Sequence, residues 1–271
     1  MYKAINRKPG RPSTKGNTLP MYSVDIPRAE RRQLIRERYK VLNIMLDSVK
    51  NGTCRSMIVY GPPGLGKSYS VFDKLKDQEI TTVKGHCTPG GLVKTLFKHR
   101  DGGVIVFDDT DSVLMDPKSL ALLKAATDSS KTRVVSYKST RTIEADDELG
   151  KVESSFEFKG TIVFITNMDF NNAPKAIAPH TQAIISRSTY VDLGLRTRDD
   201  YIDLIEHVVS TTGILAELDK DDQDVIMNYL KDNKEKWIEL SLRTVVQLAD
   251  LYTSVDDWKL VAKHTKMRPV I

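Results

Sequence analysis

The stretch MIVYGPPGLGKSYSVF holds the residues whose types and spacing point most directly to chemistry. Gly61, Gly66, Lys67 and Ser68 stand at the Gly-x-x-x-x-Gly-Lys-Ser spacing, behind a β-like SMIVY segment and at the opening of a helical pattern. Glycines there let backbone N–H groups curl around phosphate oxygens, and a helix N-terminus adds positive potential. The loop Gly61, Pro62, Pro63, Gly64, Leu65, Gly66, Lys67, Ser68 and Tyr69 is therefore read as a cradle for the phosphates of ATP, with Lys67 on the β- and γ-phosphates and Ser68 ligating Mg2+. Forty-one positions after Lys67, the run VIVFDD ends a second apolar segment with two carboxylates. Asp108 is expected to help hold the magnesium through water, and Asp109 to orient or deprotonate an attacking water. Asp111 is the weaker member of this acidic group. Two adjacent acids at a strand end can also simply cap the next loop.

Such residues need a scaffold that brings strand ends together, and the rest of the chain supplies one. Apolar segments at 56 to 60, 79 to 83, 104 to 109, 161 to 167 and 188 to 193 alternate with helical patterns that include Gly90 to His99 and 117 to 128. Unbroken β-branched runs separated by helices predict a doubly wound parallel α/β sheet covered on both faces, with ligands at the carboxyl ends of the strands. Ahead of it, Ile35, Tyr39, Leu42, Met45, Leu46 and Val49 recur at helical spacing between many Arg and Lys, predicting an amphipathic helix from Pro27 that is basic on its wet side. After Leu195 the patterns are helical only. Thr197 and Asp200 form a capping-box signal, and three more helical segments are expected near 220 to 231, 241 to 253 and 256 to 264. The organisation expected is a flexible basic arm over 1–26, an α/β nucleotide-binding domain over 27–194 and a small helical lid over 195–271.

Composition narrows the class. The chain of 271 residues is 40% hydrophobic, enough for a buried core, and no apolar run reaches the length of a membrane span. No signal-peptide stretch opens it, so a soluble protein of the cytoplasm is expected, or of a host's cytoplasm if the gene is a phage's. Cys54 and Cys87 stand in no metal-like spacing and are read as core or loop thiols. The formal charge of +5 is uneven: residues 1 to 40 hold eleven Lys/Arg against three Asp/Glu. That surplus suits a polyanion, most commonly nucleic acid, although a solvated tail has the same composition.

Taken together the motifs resemble those of AAA+ ATPases, over roughly residues 30 to 265. TIVFITN ends in Asn167 and resembles the sensor 1 strand, which in that family lies between the strands carrying the phosphate loop and the acids. The resemblance implies that Asn167 bonds the attacking water or the γ-phosphate. AIISRSTYVDL resembles the segment bearing an arginine finger, so Arg187 is implied to reach the ATP of a neighbouring subunit. ELSLRTVVQLADLY resembles the sensor 2 helix, with Arg243 in its first turn placed to contact the γ-phosphate in cis. A finger acting in trans implies a homo-oligomer, a ring or spiral. Many family members carry Asp-Glu where this chain has Asp108-Asp109, a departure that could slow turnover.

The substrate is less legible. Residues 131–160 alternate in VVSYKSTRTI and VESSFEF around ADDELG and predict a β-hairpin. It resembles the insertion before sensor 1 in branch-migration motors, replicative helicases and some unfoldases. Lys131, Arg133, Lys138 and Arg141 could follow a phosphate backbone, yet the tip from Glu144 to Glu148 is acidic. The arm's KPGRPS is similar to the centre of minor-groove AT hooks, with Pro9 in place of the first arginine, and also to an ordinary linker. Two readings follow: an ATPase acting on DNA in replication or recombination (helicase, helicase loader or branch-migration motor), or a protein-remodelling ATPase gripping a partner such as a helicase. A nucleotide-gated assembly switch without turnover is a third.

Overall fold

The computed structural model describes residues 27–138, 150–168, 170 and 173–269. The basic arm and the hairpin tip, with Arg141 and the run from Glu144 to Glu148, lie outside the described residues.

The chain runs α1 (Arg28–Lys50), β1 (Ser56–Tyr60), α2 (Lys67–Leu75), β2 (Ile80–Lys84), α3 (Pro89–Lys98), β3 (Val104–Asp108), α4 (Asp111–Met115), α5 (Pro117–Ala126), β4 (Val134–Ser136), β5 (Ser155–Glu157), β6 (Thr161–Thr166), α6 (Ala178–Ile185) and β7 (Thr189–Asp192). Four helices follow: α7 (Arg198–Thr212), α8 (Lys220–Asp232), α9 (Leu242–Ser254) and α10 (Trp258–Lys266). Five strands form one parallel sheet in the order β2-β3-β6-β1-β7. The three central strands are buried almost throughout, which is why their sequences are unbroken apolar runs. As expected of the sensor 1 strand, β6 lies between β1 and β3. All their carboxyl ends open on one edge, so Tyr60, Asp108 and Thr166 end side by side.

Each sheet face has its own core. Leu92, Phe97, Phe107 and Phe164 fill one side beneath α3, α5 and α6. On the other, Leu42, Val71, Val106 and Ile165 pack under α1 and α2. A third cluster around Trp237, Leu230, Val245 and Trp258 holds α7 to α10 together. The capping box at Thr197 and Asp200 is present as read. Cys54 and Cys87 are buried free thiols.

Three readings of the sequence need correction. The hairpin has its antiparallel stem, with Val134 opposite Glu157 and Ser136 opposite Ser155. Its Arg133, however, is no phosphate contact: it is buried, donating to the carbonyls of Ala126 and Gly160 and lying over the Phe158 ring. A guanidinium whose donors close the hairpin root is occupied with folding. Second, the wet side of α1 is not freely basic. Arg28 and Arg32 pair with Asp203, Arg32 also with Glu206, and Arg31 reaches the fully buried Asp200, all on α7. Only Arg31–Asp200 is buried on both sides, and removing one partner of such a pair typically costs about 3–5 kcal/mol, so that pair above all ties α7 to the sheet domain, the half-exposed Arg28 and Arg32 adding less. Third, the short helix α4, directly after the acids, has no counterpart in the patterns read above.

Candidate functional site

Ser56 to Tyr60 form a buried strand, and the chain must turn at its end to start α2. Gly64 and Gly66 take that turn with φ of 73° and 78°, the left-handed region that costs glycine little. At Gly64 a side chain is also excluded by contact, since a Cβ would stand 2.4 Å from that of Ser241. This close approach lets the Leu242 N–H, at the start of α9, donate to the Gly64 carbonyl at 3.0 Å. The loop is thereby tied to the helical part of the chain.

Lys67, at the first position of α2, is buried with its Nζ 2.6 Å from Gly61 O, 2.7 Å from Pro62 O and 2.7 Å from Asn167 Oδ1. All three partners are neutral, and burial pulls the ammonium down to about 8 despite the pull of Asp109 and Asp108. A desolvated cation held by neutral oxygens inside a loop of N–H groups is suited to an incoming phosphate.

The acids continue the same network. Ser68 donates to Asp108 Oδ1 at 2.8 Å, so a hydroxyl and a carboxylate from adjoining elements converge where a divalent cation could sit. Asn167 Nδ2 donates to Asp109 Oδ1 at 3.1 Å, completing a path from Lys67 through Asn167 to Asp109. Asp109 has φ of 50°, the one positive value outside glycine among the described residues. Such a conformation is strained, although Asp adopts it more readily than most, and strain of this kind clusters at functional sites. Burial and the neighbouring Asp108 raise the Asp109 carboxyl, the direction required of a base that must hold a proton.

Arg243 sits in the first turn of α9 and lines one small cavity with Pro63 to Tyr69, Asp109 and Asn167. Beside that cavity is a larger one of about 520 Å3, walled by Tyr39, Leu65, Tyr69, Val208, Ile214 and Leu242. Tyr69 is exposed on its rim. Pocket sizes of this order fit a nucleoside.

Arg187 is not brought into this cluster. Just beyond α6, it donates to Ala183 O at 2.8 Å and pairs with Asp128 at 3.6 Å. Asp128 Oδ1 accepts from the Ser130 N–H, at the hairpin root.

Two residues of the network escaped the sequence reading. Lys84, ending β2 in register with Asp108, places Nζ 3.0 Å from Asp108 Oδ2 and partly neutralises it. Thr166 donates to Asp111 Oδ1 at 2.7 Å, which draws that carboxylate into the strand-end cluster. The position of each at a strand's carboxyl end was the available signal.

No protein-family profile matches the chain. Among curated proteins it is similar to an uncharacterised 36.7 kDa protein of Enterobacteria phage T4, encoded between nrdC and mobD, at 34% identity over 241 residues, 84% of this chain and 73% of that one. Among solved structures it is similar to the RuvB Holliday junction branch migration motor of Thermotoga maritima, at 16% identity and a TM-score of 0.47, over 88% of this chain and 69% of that one. A point mutant of the same RuvB gives 15% identity and a TM-score of 0.49, over 86% and 69%. By its resemblance over most of its length the chain belongs to the family of the phage T4 protein.

Proposed function

We propose that the protein is a Mg-ATP-dependent AAA+ ATPase that works as a homo-oligomer on DNA. The observation that carries this reading is the single hydrogen-bonded path Lys67–Asn167–Asp109 beside the Ser68–Asp108 pair. In it, Lys67 exchanges its neutral partners for β- and γ-phosphate oxygens. Asn167 and Asp109 then address the water behind the γ-phosphate, and Asp109 takes its proton. Ser68, and Asp108 through water, would hold magnesium, which would supply charge neutralisation on the phosphates. Arg243 faces the same small cavity and adds a cation from α9, while the nucleoside lies in the apolar cavity between Tyr39, Tyr69 and Leu242.

Negative charge on the transferred phosphoryl group calls for cations, and Lys67 and Arg243 are the two that line the small cavity among the described residues. Arg187, outside the cluster in its own subunit, is assigned to the site of the next one, which makes turnover depend on assembly. The DNA side rests on charge: residues 1–26 hold five Lys/Arg against one acid. Remodelling of a protein partner, such as a helicase, is the competing reading.

The test is ATP turnover by the full chain with and without single- and double-stranded DNA, alongside a sizing measurement. We expect stimulation by DNA that weakens with salt, and no turnover by Asp109→Asn at undiminished nucleotide affinity. Turnover indifferent to DNA sinks the DNA assignment, and turnover retained by Asp109→Asn sinks the base assignment.

A further inference from the structure

The amino ends of the strands, opposite the phosphate loop, enclose a cleft of about 320 Å3. Its walls come from the end of α1, the residue before β1, the start of β3 and both flanks of the hairpin root. Five cationic residues line it, four of them at least partly exposed and the fifth, Arg133, buried. Arg55 and Lys131 are exposed, Lys159 is 58% exposed and Lys50 sits at the rim, 35% exposed. Among the described residues the one carboxylate in the lining is Glu157, 4.0 Å from Lys159, and Asp77 pairs with Lys50 at 3.2 Å from outside. Both ion pairs are solvent-exposed and therefore weakly held.

Arg55 is held in place by the fold. Arg55 Nη1 donates to Ser130 O at 3.0 Å, which joins the β1 entry to the hairpin root beside Lys131. Beneath them the buried Arg133 fixes the same root through Ala126 O and Gly160 O. Burial lowers the Arg133 guanidinium, Arg55 pushes in the same direction and Glu157 opposes, so two like charges are kept close together. Gathered cations of this kind are compensated by an anion spanning several of them.

We propose that this cleft binds the sugar-phosphate backbone of a nucleic acid, with Arg55, Lys131 and Lys159 each contacting a phosphate and Lys50 adding charge at the rim. The lining favours this occupant over a peptide that needs apolar anchors. Peptide partners anchor through apolar side chains in pockets, but the apolar liners here, Val49, Val104 and Phe158, are themselves buried, at 2%, 4% and 1% exposure. What remains to a ligand is charge and glycine backbone at Gly52, Gly102 and Gly103, which holds a phosphate track without reading bases. The inference rests on the DNA reading above and places its binding surface at the end of the sheet away from ATP.

The experiment is fluorescence anisotropy of labelled mixed-sequence single- and double-stranded oligonucleotides with the full chain, over a series of salt concentrations. The triple variant Arg55→Ala, Lys131→Ala, Lys159→Ala is compared with the parent, and Lys131→Gln serves as a milder second variant. The slope of log affinity against log salt is expected to become shallower by roughly 2 to 3 in the triple variant and by about 1 or less in Lys131→Gln. The thermal unfolding midpoint, measured alongside, should stay that of the parent in Lys131→Gln, whose side chain is exposed. A parent-like slope in both variants overturns this site while leaving the DNA reading intact. Failure of the full chain to bind either oligonucleotide overturns both. Displacement of DNA by poly-glutamate as readily as by unlabelled DNA assigns the cleft to an acidic protein and overturns it as well.

Discussion

The two ends of one sheet both collect positive charge, but they do so by different means. At the carboxyl ends, Lys67 belongs to nine consecutive residues and is buried to 6% exposure among neutral oxygens. At the amino ends, Arg55, Lys131 and Lys159 come from separate segments and stand in water. A desolvated charge interacts strongly and over a fixed geometry, whereas exposed charges act additively and are screened by salt. The first arrangement suits the phosphates of one small molecule, the second a long polyanion.

The largest effect expected from testing this contrast lies in turnover. Arg187→Ala should lower ATP hydrolysis by about 10³-fold or more while leaving nucleotide binding at the parent's level, measured by steady-state rate and by titration of a fluorescent ATP analogue. Normal turnover would remove Arg187 from the site. Next in size, Lys67→Ala should weaken nucleotide binding by roughly 100-fold, corresponding to the ~3 kcal/mol of a charge-assisted contact in a dry site. A loss under tenfold would place Lys67 in the same class as the exposed cations of the cleft. Smaller again is a pH effect. Because burial holds the free Lys67 ammonium at about 8, and bound phosphate must raise it, binding takes up a proton above that value. Affinity should therefore be flat below pH 8 and fall by up to about tenfold per unit above it. The Lys67→Ala variant should show no such break. The salt response of the cleft variants is the gentlest of the four and completes the series.

How far the site could be read in advance depended on what each residue's role rests on. The phosphate loop is local: the turn needs glycine, the helix start needs Lys and Ser next to it, and chain order conveys all of this. Asp108, Asp109 and Asn167 were legible at one remove, because apolar runs ending in polar residues announce strand ends that a parallel sheet must align. Arg243 was legible through family resemblance, and its seat in the first turn of α9 agrees with that reading. Lys84 was hidden by its type, since a lysine after a short strand looks like any solvated residue until its register with Asp108 is known.

Charge was the least legible feature. Residues 28 to 32 looked like part of a free basic stretch, yet their partners on α7 lie about 170 positions away and include the buried Asp200 and Asp203. Arg133 likewise counted as a surface cation until the hairpin stem closed over it. Pairing and burial decide whether a formal charge faces a ligand or serves the fold, and neither is encoded in local pattern.

By itself, then, the amino-acid order determined the alternating strands and helices, the phosphate loop and the acids, because hydrophobic period and turn chemistry act over neighbouring residues. Only the tertiary structure decided which of the described cations are spent inside the molecule, that Gly64 yields to Ser241 so that α9 can grip the loop, and that Arg187 pairs with Asp128 apart from the phosphate-loop cluster. Each of these depends on contacts between residues far apart in the chain, which come into being only when the sheet, its insertion and the C-terminal helices pack together.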